Sequence, residues 1–187
     1  SLHDALPIYE IHDKTGRPYS YFCYPHPEAS RNPTVNRIEL FSLTLDNNKG
    51  RFMYSDSSLF MFTLSDLKVT GHVATKEFIL VENTPSFAFA YSAFRTSSST
   101  SASSLITTIN VPKVLLSVLT VVNTNSSLLY SDSCDIKVSQ VRGRDSSIST
   151  SSFIYAKKST IDISFSDFKR INGKEGGIIQ AQQNSKV

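Results

Sequence analysis

The sequence predicts an all-β fold, a right-handed parallel β-helix solenoid of about six coils of roughly 25 residues each. Three observations predict it. First, a short apolar triplet recurs: Phe52-Met53-Tyr54, Phe78-Ile79-Leu80, Leu105-Ile106-Thr107, Leu128-Leu129-Tyr130, Phe153-Ile154-Tyr155 and Ile178-Ile179-Gln180. The steps between first residues are 26, 27, 23, 25 and 25. Second, an apolar pair spaced by three precedes each later triplet: Leu64 and Leu67, Tyr91 and Phe94, Val118 and Val121, Val138 and Val141, Phe165 and Phe168. Third, polar turn residues fill the gap from pair to triplet. A fixed period of this size marks small units that stack on one another.

The first clear unit begins near Ile38, with Leu45 in the place of the pair. The turns are Asn47-Asn48-Lys49-Gly50, Thr96-Ser97-Ser98-Ser99, Asn123-Thr124-Asn125, Asp145-Ser146-Ser147 and Asn172-Gly173-Lys174. Gly and Asn accept left-handed dihedrals, and Ser and Asp bond their own backbone. The segments between turns span about 4 to 8 residues, a strand length rather than a helix length. They are rich in Phe, Tyr, Val, Ile and Thr, which fit a pleated surface. In Ile161-Asp162-Ile163-Ser164-Phe165 the apolar residues alternate, which places 161, 163 and 165 on one face.

One unit cannot bury a face alone, whereas a stack at about 4.8 Å per coil can, and six coils would run roughly 29 Å. Phe52, Phe78, Leu105, Leu128, Phe153 and Ile178 form one expected inward ladder. Leu67, Phe94, Val121, Val141 and Phe168 form a second, with the neighbouring Ser and Asp side chains turned to water. Right-handedness is expected because parallel crossovers almost always take that hand.

The last coil carries a resemblance. It reads Ile161-Asp162-Ile163-Ser164-Phe165-Ser166-Asp167-Phe168, a polar turn, Gly176-Gly177-Ile178-Ile179, then Asn184-Ser185-Lys186-Val187. This resembles the coil of pectin-lyase-like β-helix proteins, above all the repeat of polymorphic outer-membrane proteins and similar protist surface proteins. The resemblance covers about residues 38 to 187 and is strongest in the last coil. It implies a secreted or cell-surface protein attached to a membrane through a domain outside this segment.

Residues 1–8, Ser-Leu-His-Asp-Ala-Leu-Pro-Ile, resemble a translated sequencing adapter and are set aside from fold reasoning. The expectation is an internal fragment of a longer protein, truncated at both ends. Residues 9–37 form an irregular segment or degenerate coil, with Tyr19, Tyr21, Phe22 and Tyr24 followed by Pro25, Pro27 and Pro33. Residues 38–187 are the coils.

Composition bounds the function. The chain has 187 residues and a net charge of +3, with Lys and Arg scattered singly. No basic run interleaves with aromatics, so nucleic acid is not an expected partner. The apolar stretch 114–122 is too short to span a bilayer. Cys23 and Cys134 lie far apart in the chain and are read as lone thiols. Asn125-Ser126-Ser127 is a glycosylation sequon in an expected turn.

β-Helix carbohydrate enzymes stack charged residues across neighbouring coils, and glycosidases need two carboxyl groups about 5 to 10 Å apart. Asp66 and Asp167 share one context, as do Asp56 and Asp132, but coil counting separates each pair by about 14 to 20 Å. No catalytic residue is therefore assigned. His12, His26 and His72 lack ligand spacing, and no metal or cofactor is expected. Arg142, Arg144, Lys169 and Arg170 make a candidate patch for an anionic ligand. The expected partners are glycans or surface proteins, in an extracellular or cell-surface setting. The function expected is non-catalytic: adhesion, glycan contact or spacing. The alternative is the remnant of a polysaccharide lyase or glycoside hydrolase with its catalytic coils outside this fragment. A leucine-rich repeat fits Leu40, Leu43, Leu45 and Asn48 but not the later units.

Overall fold

The structure, a computed structural model, describes residues 11–12, 18–20, 22–24, 36–56, 60–99, 104–149, 151–175 and 177–187. The adapter-like residues 1–8, together with Tyr21, Pro25, His26, Pro27, Pro33 and Gly176, lie outside the described residues. Among those described there is no helix, and parallel strands stack into a β-solenoid of about five turns, against about six read from the spacing.

One sheet has seven strands: Phe22–Tyr24, Met53–Asp56, Ile79–Glu82, Ser104–Ile109, Ser127–Asp132, Ile154–Lys157 and Ile179–Gln182. The triplets seed it, and their register is in step: Met53 opposite Ile79, then Ile106, Leu129, Ile154 and Ile179. The strand Phe22–Tyr24 pairs in parallel with Met53–Asp56. The other large sheet has eight strands, beginning with Asn36–Asp46, Phe60–Thr70, Ser86–Arg95 and Val114–Val122. Val114–Val122 pairs with two strands of the next coil, Asp135–Ser139 and Arg142–Ile148. These continue into Thr160–Ser164 and Asp167–Gly173. Each long strand therefore covers two faces, bent in the middle.

The bends have a backbone cause. Three rows of residues run up the stack with positive φ. One row closes the triplet strands: Asn83, Asn110, Ser133, Lys158 and Gln183. A second sits within the long strands: Ser42, Asp66, Tyr91, Val118, Gln140 and Phe165. A third follows: Asn47, Gly71, Thr96, Asn123, Asp145 and Arg170. A single left-handed residue in an extended chain turns it through a corner. Asn and Gly at several of these positions are the expected choice, because they tolerate that region.

The triplet ladder stands as read from Phe52 to Phe153, each 1 % exposed or less, while Ile178 is half-buried. Phe52 stacks on Phe78 with centroids 5.1 Å apart. The second ladder needs a correction. Val69, Phe94, Val121, Gly143 and Phe168 form one row by register. Leu67 and Val141 belong to a row two residues earlier, with Ser92 and Leu119. A slip of two residues keeps every side chain on the inward face, so the apolar pattern alone could not detect it. Gly143 is small for a reason: a Cβ there would sit 2.9 Å from Phe168 Cδ1 and 3.0 Å from Phe153 Cζ. Gly143→Ala should lower stability by about 1–3 kcal/mol through overpacking. An unchanged urea midpoint would show that neither ring occupies that space.

Two further expectations are corrected. Phe165 does not follow Ile161 inward; it is 89 % exposed, because the positive-φ corner falls on it and breaks the alternation. Many serines are buried rather than turned to water, among them Ser92, Ser146 and Ser159. These three, with Ser166, each follow a positive-φ residue. Their hydroxyls donate to the carbonyl two residues back, at 2.6 Å (Ser92), 3.0 Å (Ser146), 2.8 Å (Ser159) and 2.9 Å (Ser166). Each also accepts a backbone N–H from the preceding coil: Leu67 at 3.0 Å, Thr124 at 3.3 Å, Cys134 at 3.0 Å and Val141 at 3.1 Å. The corner breaks the backbone ladder, and the serine closes it. Ser92→Ala would orphan the buried Leu67 N–H and should cost about 1–3 kcal/mol, read as a drop in urea midpoint. Ser147, exposed on its strand, offers the contrast: Ser147→Asp should stay within about 0.5 kcal/mol of the parent, and a large loss would mean the position is buried.

Candidate functional site

The outward face of the triplet sheet carries two side-chain rows. One is Tyr54, Leu80, Thr107, Tyr130, Tyr155 and Gln180. The other is Asp56, Glu82, Ile109, Asp132, Lys157 and Gln182. Period-two alternation within Met53–Asp56 puts both outside while Met53, Ser55 and their equivalents turn inward; Phe52, just before the strand, is buried as well.

This register adds a pair that counting coils between like contexts does not bring out. Asp56 stands directly opposite Glu82 in the adjacent coil, so two carboxylates do share neighbouring positions. Their backbones are separated by about 4.8 Å, the strand spacing. The signal was present in the sequence: Tyr54-Ser55-Asp56 aligns with Leu80-Val81-Glu82 once the triplets are superposed. The Asn83 amide donates to Asp56 Oδ1 at 2.7 Å and orients it. Burial, and then the charges of Glu82 and Asp56, push the Tyr54 hydroxyl above its ordinary range. The Arg51 guanidinium lies 5.4 Å from the Tyr54 ring centroid and pairs with Glu77 at 2.6 Å.

Further along the same face, Tyr130 and Tyr155 stack with centroids 5.1 Å apart and planes 6° from parallel. The Tyr155 hydroxyl donates to Gln182 Oε1 at 2.6 Å. Lys157 pairs with Asp132 at 2.9 Å, and its hydrogen bond holds the Asp132 carboxyl below its usual range. This end of the face thus carries one stacked tyrosine pair edged by hydrogen-bonding side chains.

The candidate anionic-ligand patch lies elsewhere, on the face between the second and third corners. The register places Arg142 beside Asp167 and Arg144 beside Lys169, with Arg170 at the adjoining corner. Asp167 accepts from Arg144 at 3.2 Å and Lys169 at 3.3 Å. Burial pulls the Asp167 carboxyl upward, but Lys169 and Arg144 outweigh it and hold it below the carboxylate range. Arg170 is bound by Asp145, with a second contact of 3.0 Å. Arg142 is exposed. Sequence reasoning missed that the same face also carries Lys68 and Arg95, because only the register brings distant coils into one row.

Asn125 is exposed at its turn, while the hydroxyl of Ser127 in the sequon is buried and bonded to Ser151 and the Ser152 carbonyl. Cys134 is a free, buried thiol, raised by burial above its ordinary pKa. It occupies the corner place that Ser159 fills one coil later, 3.2 Å from the Asp132 carbonyl. Among the described residues, no group of three or more His, Cys, Asp and Glu gathers as metal ligands, and no helix is long and apolar enough to cross a membrane.

No family model matches this sequence, and no curated protein or solved structure matches it either.

Proposed function

We propose that this chain is a segment of a secreted or cell-surface β-helix protein that acts without catalysis, in adhesion or glycan contact, on a rigid solenoid spacer. The observation that carries the reading is the outward triplet face, with Tyr130 stacked on Tyr155 and Asp132, Lys157 and Gln182 beside them. The outward edges and hydroxyls of these stacked rings, next to fixed donors and acceptors, suit the hydroxyl-rich surface of a sugar chain. The resemblance to pectin-lyase-like and polymorphic outer-membrane proteins supports the extracellular setting and implies membrane attachment through a separate domain. A glycan array is the test. Binding to one glycan class should weaken by roughly tenfold or more in Tyr130→Ala with Tyr155→Ala, the loss expected for a buried aromatic contact. Unchanged binding would remove this face from the function.

One observation favours a second reading, the remnant of a polysaccharide lyase or glycoside hydrolase. Asp56 and Glu82 occupy in-register positions on adjacent strands, with a backbone spacing of about 4.8 Å, close to the carboxyl separation of about 5 to 10 Å that a two-carboxylate mechanism uses. Polysaccharide turnover by the intact protein, abolished by Asp56→Asn or Glu82→Gln, would replace the non-catalytic reading with this one.

A further inference from the structure

We infer that the second corner of the solenoid and the cationic face beside it dock onto an anionic lipid surface. This corner carries Ser42 and Asp66, then Tyr91, Val118, Gln140 and Phe165, and its three large members stand at φ of 49° (Tyr91), 51° (Val118) and 50° (Phe165). They are 65 %, 36 % and 89 % exposed. Two costs meet here. The left-handed region disfavours residues with a Cβ, most strongly a β-branched one such as Val118. Large apolar side chains also stand in water. The first corner shows what the fold itself needs, using Asn83, Asn110 and Ser133 at the equivalent bend. Apolar side chains kept at strained, exposed positions point to a contact outside the chain. Tyr91 has coils on both sides of it, so its exposure belongs to the corner and not to an end of the stack.

Charge identifies the partner. The face that follows this corner carries Lys68, Arg95, Arg142, Arg144 and Lys169, against the carboxylates of Asp46 and Asp167. The triplet face has the opposite balance, with Asp56, Glu82 and Asp132 against Lys157. An apolar ridge bordered by cations is the pattern of an interfacial binder: side chains enter the acyl boundary while cations meet anionic headgroups. The ridge runs along the stacking axis, with Tyr91 and Phe165 about 14 Å apart at three coils of strand spacing, so the solenoid would lie flat on the surface. A soluble anionic polysaccharide would use the cations but has no use for Val118 and Phe165, which offer no hydrogen bond.

The test is co-sedimentation of the chain with phosphatidylcholine vesicles with and without phosphatidylserine. Binding should require phosphatidylserine and fall with added salt. The double variant Tyr91→Asn with Phe165→Asn should keep or raise the thermal midpoint, because Asn suits the corner, yet bind roughly tenfold more weakly or worse. Arg95→Gln with Arg142→Gln should weaken binding as well. Several results would overturn the inference: no vesicle binding; equal binding to phosphatidylcholine alone; binding indifferent to the corner variant; retention on polygalacturonate with none on vesicles; or a dimer of the chain that the corner variant abolishes.

Discussion

Aspartate in place of Phe153 is expected to unfold the last coils of the solenoid. The Phe153 ring is fully buried, meets the edge of Phe168 at 5.7 Å between centroids, and continues the row of Phe52, Phe78, Leu105 and Leu128. Removing a buried Phe side chain alone costs about 3–5 kcal/mol. A carboxylate in its place would find neither water nor a cation, which adds several kcal/mol more. Together these rival the roughly 5–15 kcal/mol by which a domain is stable at all. In a stack where each coil touches only its neighbours, the damage is local at first. Hydrogen exchange should lose protection in Ile154–Lys157 and Ile179–Gln182 while Phe60–Thr70 keeps it. A variant with the parent's thermal midpoint and exchange pattern would mean that the triplet row is not the core.

Acidification should destabilise the N-terminal coils through His72. The residue follows Gly71 at the third corner and is fully buried, with its ring edge-on to Phe78 at 5.0 Å. The Asn48 amide lies 3.3 Å from Nδ1, and Nε2 has no hydrogen-bond partner. Burial lowers its pKa from 6.5 to about 4. The sign follows directly: the fold favours neutral imidazole, so the contribution is whole above pH 6.5 and is lost as pH falls toward 4. The loss should reach roughly 2 kcal/mol by pH 5 and about 3 kcal/mol once His72 is charged. The carboxyls of Asp132, Asp145 and Asp167, all held below their ordinary range, act at lower pH and leave this window clear. Urea midpoints at neutral pH and at pH near 5 give the measurement. The His72→Leu variant should flatten the difference; an unchanged slope would assign it to other groups.

The triplet ladder was legible because it demands little of tertiary structure. Five large apolar residues at near-constant steps, with polar turns between them, have no other economical burial. The corner rows were half legible. Asn47, Asn83, Asn110 and Asn123 lie where turn chemistry places them, but Tyr91, Val118 and Phe165 do not. In the sequence those three open apolar pairs, and alternation sets Phe165 on the face of Ile161 and Ile163. Local propensity disfavours each of them at a left-handed bend, and only register with the stacked coils forces the bend onto them. The inward serines were invisible for a related reason. A hydroxyl joins the interior only when the preceding coil presents an orphan N–H to it, as Leu67 does to Ser92.

The candidate sites divide in the same way. Counting coils groups Arg142 and Arg144 with Lys169 and Arg170 of the next coil, whereas the pairing of Asp167 and Asp145 with three of them needed the register. Asp56 and Glu82 are 26 residues apart and meet only because adjacent coils align. By itself, then, the sequence determined the class of fold, the coil length and the inward triplet row, because periodic burial of apolar side chains is a property that a linear pattern can carry. The tertiary structure alone decided the register of the second row, the three corners and the juxtaposed charges. A shift of two residues buries the same side chains, so hydrophobicity cannot choose between registers; Gly143 beneath two rings and the serine bridges across the corners can.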